Sequence, residues 1–213
     1  MGPSRYTSPR VETLTFATDI PLTFNFIHTS CSSTRQFSTY TVFLQNINIT
    51  LRALEPEDLD VLYKWENDAS MWFTGNTVAP YSRYDLKQYI ASAPKTIYEH
   101  GFMKLIIERV CDKERLGVVD LFDYDHHNSS AEVGVYIDAS HRRAGYGLQA
   151  VELITDYGLN FLHLNQLYCH IPASNAGTEA LFSKAGYQRT ALLPRWIKTP
   201  EGYTDVVMMS ILN

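Results

Sequence analysis

Ten residues, Asp138-Ala139-Ser140-His141-Arg142-Arg143-Ala144-Gly145-Tyr146-Gly147, leave few folds open to this chain. They join an alternating, strand-like run, Ala131 to Ile137, to a long segment in which Leu148, Val151, Ile154, Leu159 and Leu162 recur at helical spacing while Gln149, Glu152 and Asp156 fall elsewhere. Gly145 and Gly147 remove side chains where a backbone must come close to a ligand. The helix that follows points its unpaired N–H groups and the positive end of its dipole at the same place. The pattern therefore predicts a site for a phosphorylated cofactor, with Arg142 and Arg143 as two permanent cations beside it.

Two further readings fit the same glycines. Gly145-Tyr146-Gly147-Leu148-Gln149-Ala150 also satisfies the dinucleotide fingerprint with alanine in its last place. That fingerprint calls for an acidic ribose ligand at the end of the next strand, yet Gln166 to Ile171 carries Cys169 and His170 there. It also normally opens a run of alternating strands and helices, whereas antiparallel-looking strands precede it here. A glycine-containing turn that merely starts a helix is the plainest reading.

At 213 residues, 45% of them hydrophobic, the chain can bury one substantial core, and it shows no internal repeat. A net charge of −5 argues against a nucleic-acid partner, which demands a basic surface, and is permissive toward cationic substrates. Cys31, Cys111 and Cys169 are odd in number and far apart, which suits a reducing cytoplasm and neither a disulfide framework nor a cysteine metal site. No apolar run is long enough to span a bilayer, and the first residues lack a secretory pattern, so no membrane role is expected. Residues 1–46, rich in Ser, Thr, Phe and Tyr and poor in charge, form an N-terminal extension to which no pattern assigns a role; residues 47–213 form the domain.

Within that domain Ile47 to Arg52 alternates as a half-buried strand, Glu55-Pro56-Glu57-Asp58 starts a helix running to about Asp68, and Tyr81 to Ser92 reads as a second helix ending before Pro94. Phe102 to Val110, Leu116 to Phe122 and Ala131 to Ile137, separated by polar turns, suggest an antiparallel meander. After the glycine-opened helix come a strand at Gln166 to Ile171, a short helix at Asn175 to Ala185, and strands Arg189 to Lys198 and Tyr203 to Leu212 around Pro200-Glu201-Gly202. The fold class is α/β in the α+β sense, a mixed sheet with helices on its faces.

This order, with Arg142, Gly145 and Gly147 in the phosphate loop and Asn175 ahead of a short helix closing in Gly186-Tyr187, resembles the GNAT superfamily of acyl-CoA N-acyltransferases over about residues 47 to 212. Leu51-Arg52-Ala53-Leu54, Glu57-Asp58-Leu59 and Gly202-Tyr203-Thr204-Asp205-Val206 resemble two of its branches, the spermidine and diamine N-acetyltransferases and the ribosomal-protein alanine acetyltransferases. The resemblance implies a mainly antiparallel sheet of about seven strands with about four helices. It also implies acetyl-CoA as cosubstrate in a wedge between Ala131 to Ile137 and Gln166 to Ile171. The pantetheine arm would lie along Val135 and Ile137, and the pyrophosphate would rest on backbone N–H groups of Arg143, Ala144, Gly145, Tyr146 and Gly147. Asn175, Phe182 and Lys184 would complete the cosubstrate site. Gly134 suits a bulge that aims backbone groups at the ligand, or simply close packing.

Acetyl transfer needs an amine with a free lone pair, and a lysine-like amine has a pKa near 10.4, so a base is required. The resemblance places Glu132 in that role, directly or through a water; an outward strand residue or a substrate anchor is the alternative. Asp120, with Asp123 and Asp125, makes an acidic surface that favours a cationic acceptor. Tyr84, with Trp65, Trp72 and Tyr89, falls on the early helices that roof the acceptor cleft in such families, and Asp120 and Tyr84 are the expected substrate contacts. The departure from the family pattern is Phe182, where many members carry a tyrosine thought to protonate the departing thiolate; Ser174 or Ser183 is a candidate substitute. Cys169 and His170 are adjacent in a strand, point to opposite faces, and form no nucleophilic pair. Asp123, Asp125, His126 and His127 have metal-ligand chemistry, but polar turn residues need no metal, and none is expected. The expected activity is acetyl transfer from acetyl-CoA to a small-molecule or peptide amine, a polyamine first, a protein N-terminus or an aminoglycoside second. A noncatalytic acyl-CoA sensor is the contrasting class, and a homo-oligomer is open.

Overall fold

The computed structural model describes residues 43–69, 72, 79–93 and 96–213. The extension assigned to residues 1–46 and the helix stop at Pro94 therefore lie outside the described residues, apart from the last few of the extension. Those few belong to the folded domain: Leu44 accepts a hydrogen bond from the Leu51 amide at 2.7 Å, and the side-chain amides of Asn46 and Asn48 both donate to Gln149 Oε1, at 3.1 and 2.9 Å.

The meander follows from alternation. In β1 (Ile49–Arg52) Ile49 and Leu51 are buried, while Thr50 and Arg52 are half-buried. Next come β2 (Met103–Arg109), β3 (Arg115–Asp125) and β4 (Ser130–Ile137), each antiparallel to its predecessor. Strands of period two with both faces covered must bury both residue sets. Leu105, Ile107, Val119 and Leu121 accordingly pack on one face with Val151 and Ile154, and Ile106 and Val118 pack on the other with Leu62, Trp65 and Leu86. The first face is covered by α4 (Tyr146–Asp156), the second by α1 (Leu59–Glu66) and α2 (Arg83–Ala91).

A parallel pair needs a crossover, and α4 supplies it between β4 and β5 (Gln166–Pro172). After α5 (Ala176–Lys184), the hairpin of β6 (Gln188–Thr199) and β7 (Gly202–Leu212) completes a seven-stranded sheet of order β1-β2-β3-β4-β5-β7-β6. Five α-helices occur among the described residues, one more than expected: α3 (Ile97–His100) is a single turn closed by Gly101 in the left-handed region.

Several boundaries move for identifiable reasons. The first helix opens with a tight turn at Pro56–Asp58, and the second starts at Arg83 because Ser82 and Asp85 form a reciprocal capping box. Asp58, expected as a first-turn acid, is fully buried and accepts from both Arg52 (2.7 and 2.9 Å) and Arg115 (2.8 Å), tying α1 to β1 and β3. Its carboxyl, raised by burial, is carried below the usual range by those guanidiniums and by the Glu55 amide. The bulge expected at Gly134 is not there: Gly134 pairs in register with Asp120, and the irregularity falls between Phe122 and Asp125, where Asp123 has a φ of 49°. Gly134 instead leaves room, since an added Cβ would meet Phe122 Cε1 at 3.2 Å. No helix among the described residues is long and apolar enough to cross a membrane.

Candidate active site

The site begins where a ladder ends. β4 and β5 pair in parallel only from Ser130 with Gln166 to Glu132 with Tyr168, after which the strands part. Two adjoining hollows open along the parted edges, of about 410 and 640 Å³, and they share Val135, Tyr136, Asn175 and Thr178.

The larger hollow gathers the residues that the sequence reading assigned to a phosphate site. Ile137, Arg142, Arg143, Gly145, Tyr146, Gly147 and Lys184 line it together with Val135 and Asn175. Arg143 (φ 65°) and Gly145 (φ 83°) both take the left-handed conformation, which turns the chain into α4 and sets the start of that helix against the hollow. Ala144 sits between them, exposed. At Gly147 an added Cβ would lie 3.0 Å from Leu181 Cδ1, so the glycine allows α4 and α5 to approach. The loop is anchored by Asp138, which sequence reasoning passed over. Its Oδ2 accepts from Lys64 Nζ at 2.6 Å and from the Trp65 indole at 2.7 Å, and its Oδ1 accepts from the Ser140 amide at 3.0 Å and hydroxyl at 2.7 Å. Burial raises that carboxyl, but these donors outweigh it and hold it well below the ordinary range. Of the two loop cations, Arg142 is partly engaged, donating from Nε to the Ile137 carbonyl at 2.9 Å and lying 5.6 Å over the Tyr136 ring, while Arg143 is exposed.

The smaller hollow holds Glu132, Gly134, His170, Asn175 and Phe182. Asn175 also caps α5, its Oδ1 accepting from the Thr178 amide at 3.1 Å. Phe182 is buried and meets Tyr187 edge-on at 5.0 Å. Neither Ser174 nor Ser183, the hydroxyls considered in its place, is among the residues lining either hollow. Glu132 Oε1 accepts from the His170 amide at 3.2 Å and is bonded to His170 Nδ1 at 2.9 Å. Burial raises the Glu132 carboxyl, and His170 offsets only part of that. The imidazole partner was missed because the pairing depends on the β4–β5 register, which no local pattern reports. Cys169, which borders the hollow, packs in the core, where burial pushes its thiol up to about 12 and makes it a poor nucleophile.

On the far side of Glu66 and Phe122 lies a third hollow of about 340 Å³, lined by Tyr81, Asp85, Tyr89, Phe102 and Asp120 among others; it shares Glu66, Lys104, Asp120 and Phe122 with the Glu132 hollow. Asp120 is thus not part of an acidic surface with Asp123 and Asp125. Its side chain, 26% exposed, lines the hollows on either side of Phe122, with Oδ1 shut off from solvent and without a hydrogen-bond partner among the described residues. Lys104 Nζ lies 3.8 Å from its Oδ2 and 2.5 Å from Glu66 Oε1. Burial raises the Asp120 carboxyl despite that ammonium. Tyr84 is 70% exposed and accepts a hydrogen bond from Gln88 on the outer face of α2; Tyr81 and Tyr89 face the hollow in its stead. Trp65 belongs to the core and Trp72 to the cleft wall. In the β3–β4 turn Asp125 accepts from Asn128, and His126 bonds the Tyr124 hydroxyl, so both serve the turn.

Residues 48–188 match the model of the acetyltransferase (GNAT) domain. The chain is similar to the spermidine N(1)-acetyltransferase of Vibrio cholerae, 26% identical over 171 residues covering 79% of this chain and 95% of that protein. It is likewise similar to the enzyme of the same name from Escherichia coli, 29% identical over 169 residues covering 78% and 87%. A solved structure of the Vibrio cholerae spermidine N-acetyltransferase in complex with CoA and spermine superposes with a TM-score of 0.70, at 26% identity, covering 78% of this chain and 96% of that one. With the matched domain spanning residues of both hollows, this chain belongs to the GNAT acetyltransferases.

Proposed function

We propose that this protein transfers an acetyl group from acetyl-CoA to a primary amine of a polyamine such as spermidine. Acetyl-CoA is here a substrate, and the residues present suit it: left-handed backbone and a helix start for the pyrophosphate, Arg143 and Lys184 at the rim for a further phosphate, and the unpaired edge of β4 at Val135 and Ile137 for the pantetheine amides. One observation carries the choice of acceptor. Among the described residues, the hollow next to Glu132 is walled by Tyr81, Tyr89 and Phe102 and contains three carboxylates, Glu66, Asp85 and Asp120, against the ammonium of Lys104. An aliphatic chain ending in a cation satisfies both its apolar and its anionic surfaces. Relatives whose names include spermidine, and a neighbouring structure that holds spermine, support the same class.

Glu132 places a carboxylate, hydrogen-bonded to His170, at the point where the strands part. Burial holds its carboxyl above the ordinary range, and His170 offsets part of that. The two described cysteines, Cys111 and Cys169, are free, which supports a cytoplasmic setting. A second reading, an acyl-CoA binder without turnover, rests on Phe182, which places no hydroxyl at the leaving thiol.

The deciding measurement is CoA-thiol release from acetyl-CoA with spermidine, spermine, an N-terminal alanine peptide and an aminoglycoside. Turnover is expected with spermidine and spermine and to be lower with the other two. Tight acetyl-CoA binding without thiol release from any of them would establish the binder instead.

A further inference from the structure

We infer that His170 carries the proton in this reaction, accepting it at Nε2 from the acceptor amine and delivering it to the departing thiolate, with Glu132 as the positioning residue behind it. The inference rests on the acetyl-transfer reading above and assigns within it a residue that sequence reasoning left without a role.

The geometry separates the two side chains. Glu132 is the more deeply set, with 11% of its side chain exposed against 29% for His170, and both line the same hollow. An ionised carboxylate only accepts hydrogen bonds, so the 2.9 Å contact requires Nδ1 of His170 to carry a hydrogen, which leaves the Nε2 lone pair for the cleft. The same carboxylate oxygen also takes the His170 backbone N–H at 3.2 Å, so the imidazole is fixed both through its ring and through its own strand. Carboxylate behind, imidazole in front, with a set tautomer, is the arrangement by which a buried acid orients a general base. Among the described residues, Tyr168, whose ring meets that of His170 edge-on at 5.7 Å, Asp123 on β3 and Cys169 on β5 act on the pair, and Glu66, Lys104, Asp120 and Tyr136 line the same hollow.

Phe182 supplies the second half of the argument. It lines the hollow with His170 and offers no proton, so the proton removed from the amine is the one at hand for the thiolate. As the amine nitrogen attacks the thioester carbonyl, the new C–N bond acidifies that nitrogen and its proton passes to Nε2. When the tetrahedral adduct collapses, the C–S bond breaks and Nε2 returns the proton to sulfur, yielding amide and free thiol with no other reactant consumed.

The test compares the native chain with His170→Gln, Glu132→Gln and Phe182→Tyr, the last also combined with His170→Gln. Thiol release with spermidine is followed from pH 5.5 to 9, and acetyl-CoA binding is measured by calorimetry. His170→Gln is expected to lower kcat by about 10²-fold or more and to abolish the acidic limb of the pH profile, leaving acetyl-CoA affinity within about twofold. Glu132→Gln should cost less and shift that limb, and Phe182→Tyr should recover part of the rate lost in His170→Gln. A His170→Gln kcat within about threefold of native would overturn the assignment while leaving acetyl transfer standing. Loss of acetyl-CoA binding in both His170→Gln and His170→Asn would overturn it in favour of a structural role. Absence of turnover by the native chain with every amine would remove the reading on which it rests, and the assignment with it.

Discussion

Replacing Asp138 by asparagine should loosen the phosphate loop and destabilise the fold together, because one carboxylate serves both. The substitution keeps the shape but turns one acceptor oxygen into an NH₂ group. If the amide oxygen faces Ser140, the NH₂ confronts the Trp65 indole N–H; if it faces Trp65, the Ser140 amide loses its acceptor. Either way one donor beside a side chain that is 8% exposed is left unpaired, at a cost of about 1–3 kcal/mol. Downgrading the remaining bonds from charged to neutral adds about 1 kcal/mol. Lys64 is left out of the sum, since its side chain is 68% exposed and returns to water. The total, about 2–4 kcal/mol, corresponds to a fall in Tm of about 5–15 °C for a domain of this size. Urea unfolding followed by far-UV circular dichroism and tryptophan fluorescence measures it directly. The pH dependence checks the cause. Because the folded-state pKa is depressed, the contribution is complete above the unfolded value of about 3.9 and disappears as pH falls through the folded value. The native chain should therefore lose stability more steeply than Asp138→Asn below about pH 4. A change under about 0.5 kcal/mol at pH 7, or parallel acid limbs, would refute the reasoning.

Two further perturbations test the scaffold around the cleft. Gly117→Ala would bring a Cβ to 2.0 Å from the Tyr136 carbonyl oxygen, a backbone atom that cannot rotate aside, so a loss at or beyond the upper end of about 1–3 kcal/mol is expected in chemical denaturation. A midpoint equal to that of the native chain would show that β4 shifts freely. Lys104→Met leaves Glu66 and Asp120 facing each other without their shared cation, costing about 3 kcal/mol at pH 7. Since burial already raises the Asp120 carboxyl, that penalty should shrink as pH falls and the carboxyl takes up a proton; urea melts at pH 7 and in mild acid would reveal an equal loss if this account were wrong.

What could be read from the sequence is what local chemistry determines. The phosphate cradle is a matter of two glycines, a helix start and an apolar stripe within one stretch of chain, and Gly145 duly takes the left-handed conformation where α4 begins. Capping at Ser82 is equally local. Tyr84 shows where phase was needed: it stands two residues before buried Leu86, about 200° around the helix, and so faces outward, whereas Tyr89 comes back toward Leu86. Asp58 and Asp120 carry the same composition signal as any surface acid. Their burial is decided by which arginine or lysine the folded meander brings to them, Arg52 and Arg115 in one case and Lys104 in the other.

The pairing of Glu132 with His170 lay further out of reach, and its origin shows why a carboxylate stands at this position. A strand that leaves its partner strands an amide that the ladder would have satisfied. Glu132 forms the last rung with Tyr168, and two residues further along β5 the His170 N–H finds the Glu132 carboxylate. The side chain therefore ends the parallel ladder as well as holding the imidazole, and the two roles separate by substitution. The amide oxygen of Glu132→Gln can still accept from the His170 backbone, so the strands should stay parted as they are and the cradle should stay formed. What it loses is the negative charge that keeps Nδ1 protonated and steadies an imidazolium. Truncation to alanine removes both functions, so only the glutamine variant reports on proton transfer with the cleft intact.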